Sequence, residues 1–249
     1  ANWTGGSLRS SYTSVNQGWN HGVIGYGGTD SMSFQVNGLK RDFDEYESPI
    51  GKVVNSNGKS SSFGLGGSRF WENGYAGLSF SQSDNIYGVP GEHAENETRV
   101  ELESDRLEAR SEFEILGSDW LRSIEFNLGY GDYRHDEIGR HHEEEEDHEG
   151  EEEEEHESEF ETHATYFREG VEGRVAFVHE IGELRGVLGF HGLFDELRVQ
   201  GEDNIFGGES GTNGAITAED STKLALFLIE EFNLSESTRV NGGIRWESH

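Results

Sequence analysis

The sequence predicts an all-β protein that forms part of an antiparallel transmembrane β-barrel. Three observations support this prediction: apolar and polar side chains alternate, the predicted strands are long, and the connections alternate between short and long. Alternation is clearest over residues 124–130, where Ile, Phe, Leu and Tyr occupy every second position and polar or small residues lie between them. A period of two is the pattern of a strand with one apolar and one polar face.

The composition is acidic and poor in hydrophobic residues. The 249 residues include 50 Asp and Glu against 19 Lys and Arg, so the net charge is −31, and only 32% are hydrophobic. A barrel reconciles these values, because a membrane-spanning strand needs apolar side chains only at alternate positions. A soluble acidic domain with a disordered segment is the alternative. The electrostatic field of a protein this negative repels phosphate backbones, which argues against nucleic acid as a partner. With Cys 0, disulfides and thiolate metal sites are excluded.

Eleven strands are predicted from the alternation and the turn signals between segments. Many exceed the roughly five or six residues common in soluble sheets and reach the ~9–11 that a tilted membrane strand needs. They cover residues 6–15, 20–29, 31–42, 59–70, 74–87, 98–115, 120–134, 160–178, 183–198, 220–233 and 237–248. The apolar faces of four of them carry Met32, Phe34 and Val36; Ala76, Leu78 and Phe80; Leu184, Leu188, Phe190 and Phe194; and Val240, Ile244 and Trp246. The run Leu224–Ile229 is apolar on both faces, so alternation fails there.

The connections follow the strands with a regular change of length. Short turns are predicted at 28–31, 71–73, 116–119, 180–182 and 234–236, and long links at 43–58, 88–97, 135–159 and 199–219. The first link, near 15–19, is also short. Short turns at one end and long loops at the other are typical of an outer-membrane barrel, and the strongly charged faces predict a water-filled or plugged lumen. A soluble all-β domain is the alternative.

The strand 98–115 contains a break in its alternation. Val100 and Leu102 share one parity, whereas Leu107 and Ala109 share the other. A one-residue bulge near 104–106 would restore the register. The alternative is that part of this strand stands above the membrane, where alternation is not enforced.

The segment 135–160 is rich in histidine and carboxylate side chains. Six of the eleven histidines lie between His135 and His163, and fourteen carboxylates lie between Glu143 and Glu161. Such a segment cannot bury a core, so a mobile extracellular loop is predicted. Imidazole and carboxylate groups favour Zn²⁺, with Cu²⁺ and Ni²⁺ as competitors, whereas carboxylates alone would suit Ca²⁺. The candidate ligands are His135, Asp136, His141, His142, Asp147, His148, His156 and His163. A solvated acidic loop that binds nothing tightly is the alternative.

Two further metal-binding candidates lie outside that segment. Glu92 and His93 follow the turn signal Pro90-Gly91 in a long link at the same end of the predicted barrel. His191 lies on the polar face of its strand, so it would point into the lumen and could relay a metal ion. A hydrogen-bonded lumen histidine is the alternative for His191.

Three stretches of the chain together resemble a known family. They are the segment YGVPGEH at Tyr87–His93, the strand Thr98–Glu112 and the His/Glu-rich loop that follows Tyr130–His135. They resemble the barrel of a TonB-dependent outer-membrane receptor, most closely the zinc-uptake branch. The zinc assignment rests on the loop composition and on Glu92 and His93.

The resemblance implies a protein of the bacterial outer membrane, embedded in its lipid. The family barrel has 22 strands, so residues 1–249 would form a partial barrel domain of about eleven of them, with the plug domain not present. Zn²⁺ would be the transported cargo, captured by the extracellular loops. Energy would come from the TonB complex through the missing plug. No enzymatic activity and no organic cofactor are implied. The alternatives are a receptor of this family for a siderophore or haem, or a soluble acidic all-β metal-binding module.

Overall fold

A computed structural model of the chain describes residues 2–140, 160–201, 219–235 and 237–249. This part of the chain is almost entirely β-structure, with short 3-10 turns at Ser14–Asn16 and Glu92–Ala94. None of its helical segments is long and apolar enough to cross a membrane. The strands are β1 (Trp3–Thr13), β2 (Gly18–Gly28), β3 (Met32–Phe43), β4 (Glu47–Ser48), β5 (Gly51–Lys52), β6 (Gly58–Trp71), β7 (Gly74–Gly88), β8 (Arg99–Glu114), β9 (Leu121–Arg140), β10 (Phe160–Ile181), β11 (Leu184–Gly201), β12 (Glu219–Ser235) and β13 (Thr238–Ser248).

Eleven of these strands form one antiparallel sheet in the order β1-β2-β3-β6-β7-β8-β9-β10-β11-β12-β13. Every strand pairs with the sheet strand before or after it in the sequence, which is the connectivity of an up-and-down barrel wall. The predicted number of sheet strands and the partial antiparallel barrel are confirmed. The small hairpin β4–β5 is separate from this sheet and occupies part of the predicted long link 43–58.

The connections divide between the two ends of the sheet as predicted. At the short-turn end, β10 and β11 are joined through Gly182, whose φ of +61° suits glycine, and Gly117 with φ +80° lies between β8 and β9. At the long-link end lie the connections through 44–57 and 89–98. The other two long links fall largely outside the described residues.

Apolar side chains form a continuous band on the outer face of the sheet. One register row consists of Leu65, Phe80, Leu107, Tyr130, Val171 and Phe194, each opposite the next across neighbouring strands. Phe194 is 52% exposed and Leu107 42%. A patch this large is rare on proteins that face water, and it is the outer surface that a transmembrane barrel needs.

The apolar band ends at a row of carboxylates two residues further along the strands. We call this the acidic row; its members, on β8 to β12, are Asp105, Asp132, Glu169, Glu196 and Asp220. The Tyr130 hydroxyl, at the top of the apolar band, donates a hydrogen bond to Glu169 (2.8 Å). Beyond this row the polarity inverts: Glu101 and Glu103 point outwards, while Val100 and Leu102 point inwards.

This inversion shows that the predicted bulge near 104–106 is wrong. β8 pairs with both β7 and β9 without any register shift. The parity of the apolar residues changes because the upper part of the strand packs on an inner core, where Val100 is only 1% exposed. The alternative explanation, a strand that continues above the membrane, agrees with the structure.

The strand ends differ from prediction mainly in β9. The ends of the eleven sheet strands lie within three residues of the predicted ones, except that β9 continues six residues further, to Arg140. The prediction that 135–140 is loop is therefore wrong. Residues 135–138 pair with β8, and the segment 135–140 pairs with Phe160–Tyr166 of β10. Its polar composition hid the strand, because both of its faces carry polar or charged residues.

Candidate functional site

Aromatic and ionisable side chains gather on the inner face above the acidic row. We call this group the rim cluster; it comprises Tyr133, His135, Glu137, His163 and Tyr166. The His135 ring lies 5.0 Å from the Tyr166 ring and 6.4 Å from the Tyr133 ring, measured between centroids. The Tyr133 hydroxyl lies 3.4 Å from Nδ1 of His135. These contacts hold the imidazole against the wall formed by β9 and β10.

Glu137 is the most deeply buried acid of the described chain. Its side chain is 0% exposed and lies between Val100 of β8 and Ala164 of β10, which are 1% and 2% exposed. Its Oε1 atom lies 3.6 Å from Nε2 of His135. Burying a charge is costly without compensating partners, and His135 is one partner that the geometry shows.

Burial also changes the acidity of His135. It lowers the pKa of the imidazole below its ordinary value, and the negative charge of Asp136 opposes this shift. The neutral ring that results is the form that binds metal ions. Asp136 itself points to the outer face, where Arg134 pairs with it (2.8 Å) and the Thr165 hydroxyl donates to it (2.6 Å). The structure thus places the adjacent candidates His135 and Asp136 on opposite faces.

His163 reaches the rim cluster through an irregularity in β10. The pairing of β10 with β9 shifts by one residue between Thr162 and Ala164, so His163 is the extra residue. Its imidazole lies over Gly139, whose missing side chain leaves the space: a Cβ there would be 2.8 Å from Nε2 of His163. His163 therefore lies on the same side of β9 as His135 and Glu137, further along the strand.

The candidates Glu92 and His93 lie in the 3-10 turn of the link 89–98. The turn is closed by a hydrogen bond from the Ala94 amide to the Gly91 carbonyl (3.0 Å), and the Thr98 amide donates to the His93 carbonyl (3.2 Å). Asn55, from the link that carries β4 and β5, donates through its side-chain amide to the carbonyls of Val89 (3.0 Å) and Thr98 (2.6 Å). This one side chain therefore fastens both ends of the link at the rim.

His191 lies lower on the inner wall, as its parity predicts. Its Nε2 lies 2.9 Å from Glu172 and its Nδ1 lies 3.2 Å from an Arg245 nitrogen. A metal ion at His191 would have to displace one of these contacts.

The remaining metal-binding candidates, His141, His142, Asp147, His148 and His156, lie outside the described residues. Within the described ranges, no three His, Asp or Glu side chains lie close enough together to hold a metal ion. The rim cluster is therefore a pair of close ligands, His135 and Glu137, with His163 near them.

Sequence reasoning missed several of these residues. Glu137 lies two positions after His135, so strand periodicity would have placed both on one face had the strand been recognised. Tyr166 and Arg174 join the inner wall through cross-strand register, which a single sequence does not reveal.

An antiparallel wall with an apolar outer band and a polar inner face defines part of a membrane-type β-barrel. Solved structures share this fold. The copper transporter OprC matches 99% of the chain with a TM-score of 0.70 at 14% identity, over 36% of its own length. The siderophore receptor PirA from Acinetobacter baumannii has a TM-score of 0.65 at 14% identity. The ferric enterobactin receptor PfeA from Pseudomonas aeruginosa has 0.56 at 14% identity.

PirA and PfeA are each matched over 39% of their length. The chain thus spans less than two-fifths of these three structures. No family model and no curated protein matches it.

Proposed function

We propose that this chain is part of the barrel of a TonB-dependent outer-membrane receptor that takes up zinc. The observation that supports it most directly is the pair formed by His135 and Glu137 at the inner rim. A nitrogen and a carboxylate oxygen 3.6 Å apart are suitable ligands for Zn²⁺. Burial that lowers the pKa of His135 keeps its nitrogen available to a metal ion. No catalytic chemistry and no organic cofactor are part of the proposal.

In this proposal zinc moves from the outer surface towards the lumen. The histidine- and glutamate-rich segment with His141, His142, Asp147, His148 and His156 gathers the ion. His135, Glu137 and His163 receive it at the rim, with Glu92 and His93 in the adjacent link. His191 is the proposed relay within the lumen. Transport across the membrane would be driven by a TonB complex acting through a plug domain.

Copper and siderophores are the competing cargoes. Among the solved structures of the same fold, one is named as a copper transporter, one as a siderophore receptor and one as a ferric enterobactin receptor. Cu²⁺ binds most nitrogen and oxygen sites more tightly than Zn²⁺ does, so selectivity must come from geometry and metal supply. A haem receptor and a soluble metal-binding module are further alternatives.

Zinc calorimetry on the full-length protein in detergent tests the proposal. We expect zinc binding to weaken between pH 7.5 and pH 5.5, because protons compete with metal ions for the imidazole nitrogens. Because burial lowers the pKa of His135, its share of the binding should weaken less over this range, and His135→Gln should lower zinc binding at both pH values. His21→Gln is the matched control, because His21 is exposed, lies within hydrogen-bond distance of the Ser10 hydroxyl (3.1 Å) and stacks on Trp19.

Three outcomes would count against the proposal. If His135→Gln binds zinc like the parent protein at both pH values, the rim has no part in binding. Equal binding of Ca²⁺ would remove the histidines from the mechanism. A protein that stays folded and monomeric without detergent would contradict the membrane location. Deleting 143–159 should lower the number of zinc ions bound and leave the strands intact.

A further inference from the structure

A groove crosses the outer face of the sheet towards the short-turn end of β3, β6 and β7. Its floor is formed by Gly67 and Ala76, and its walls by Phe34 and Leu78, which are 57% and 56% exposed. Phe34, Gly67 and Leu78 share one register row, so all three positions face outwards. The groove has a volume of about 760 Å³, and it opens towards the lipid that surrounds a transmembrane barrel.

Two glycines create this groove. The Phe34 ring lies over Gly27 of β2, where an added Cβ would be 2.7 Å from the ring. The ring therefore leans away from β6. At Gly67 an added Cβ would meet only the carbonyl oxygen of Ser33, at 3.4 Å, so the space above Gly67 is open. The result is a local gap in an apolar band whose next row is filled by large side chains.

Arg69 lies at the lower end of the groove. It occupies one register row with Met32 and Ala76, two residues before β6 ends at Trp71. The Trp71 ring packs against the Phe113 ring on the same outer face, with 5.6 Å between centroids. Aromatic side chains of this kind collect at the headgroup level of a membrane. The guanidinium reaches that level, because long charged side chains extend along apolar surface towards water.

The charge of Arg69 is not balanced within the sheet. Among the described residues that line the groove, it is the only ionisable side chain. No hydrogen bond or ion pair joins it to another described residue. The partial extent of the wall does not account for this, because β6 is flanked on its two sides by β3 and β7, which are both described. A domain inside the lumen would contact the opposite face of the sheet. Because a charged group on the lipid face is costly without a partner, the partner is expected to come from the membrane.

We infer that this groove binds a phospholipid with an anionic headgroup. Arg69 donates to the phosphate group by a two-point contact, and one acyl chain lies over Gly67 between Phe34 and Leu78. A free phosphate ion would gain nothing from these apolar walls. In phosphatidylethanolamine the ammonium group competes with Arg69 for the phosphate and finds no carboxylate in the described lining. Phosphatidylglycerol, whose headgroup carries no cation, therefore fits better. The inference depends on the transmembrane fold and is independent of the zinc proposal.

Native mass spectrometry of the full-length protein in detergent tests the inference, with phosphatidylglycerol or phosphatidylethanolamine added at equal concentration. The parent protein should retain more phosphatidylglycerol. Arg69→Gln should weaken phosphatidylglycerol binding about ten- to a hundredfold, as expected for the loss of a charged hydrogen-bonding partner. Arg198→Gln is the matched control and should bind like the parent protein, because Arg198 also faces outwards but pairs with Glu196 of the acidic row (3.0 Å).

A second pair of variants tests the apolar part of the groove. Ala76→Phe fills the groove without changing its charge and should weaken phosphatidylglycerol binding. Thr222→Phe adds the same ring to the outer face of β12, opposite Phe194, and should not. Equal retention of the two lipids by the parent protein, or parent-like binding by Arg69→Gln or Ala76→Phe, would overturn the inference. Circular dichroism of each variant checks that the sheet is intact. Zinc titration of the same samples is read separately, so failure of one proposal does not imply failure of the other.

Discussion

A charged residue placed on the apolar outer band tests the orientation of the whole sheet. Leu78 of β7 points outwards and is 56% exposed. It lies four residues below Gln82, which is level with the acidic row. Four residues span about 13 Å of strand, or about 10 Å of depth at a tilt of roughly 40°, near the middle of an apolar band about 25 Å tall. Leu78→Arg therefore places a guanidinium close to the bilayer centre.

The expected cost follows from this depth. An arginine at the midplane of a barrel's lipid face costs about 2–4 kcal/mol, which corresponds to a roughly 30- to 700-fold change in the folding equilibrium. The same change at an exposed position in water alters stability by about 0.5 kcal/mol or less. The two environments therefore predict clearly different results.

Equilibrium unfolding in lipid vesicles, followed by tryptophan fluorescence, measures the difference. Ser79→Arg is the matched control, because Ser79 is the next residue and faces the inner wall opposite Glu108. We expect Ser79→Arg to lie within about 1 kcal/mol of the parent. A Leu78→Arg protein as stable as the parent would refute the assignment of the outer face to lipid.

Three further predictions concern the rim and the inner wall. Burial lowers the pKa of His135 in the folded protein. The neutral ring should therefore stabilise the fold fully above the ordinary pKa of about 6.5, and this stabilisation should be lost as the pH falls through the pKa of the folded protein. Unfolding curves between about pH 7.5 and pH 5 should show a smaller loss of stability for His135→Phe than for the parent protein. Gly189→Ala should cost about 1–3 kcal/mol in unfolding free energy, because the added methyl group would displace the Phe227 ring. Asn55→Ala removes two hydrogen bonds worth about 1–3 kcal/mol together and should speed amide exchange in the link 89–98; unchanged exchange there would show that other contacts hold the link.

Alternation predicted the strands well wherever lipid enforces it. In the lower halves of β8 and β9 the outward side chains must be apolar, so a period of two is visible in the sequence itself. Above the acidic row water contacts the outer face, and the apolar residues Val100 and Leu102 turn inwards. The same physical change therefore produced both the predicted bulge in β8 and the missed end of β9.

The contacts of the candidate site could not be predicted from the sequence, because they join different strands. The residue type alone identified His135 as a candidate ligand, and its position in the strand alternation placed His191 on the inner face. The partners of these residues, Tyr166 and Glu172, lie on a neighbouring strand, and only the pairing register brings them together. Burial of Glu137 likewise depends on flanking side chains from β8 and β10. Such contacts are properties of the assembled sheet, and alternation within one strand contains no information about them.

The inversion of polarity at the acidic row divides the wall into two layers with different sources of stability. Below the row, lipid covers the outer face and opening a strand would expose backbone groups to hydrocarbon. Above it, β9 and β10 stand in water and depend on the small core around Tyr133, Glu137 and Tyr166. The upper layer is expected to open locally at a lower free energy than the lower one. Under the proposed function, a metal ion bound at the rim would contact only this layer, so its capture and release would not require the membrane-embedded wall to open.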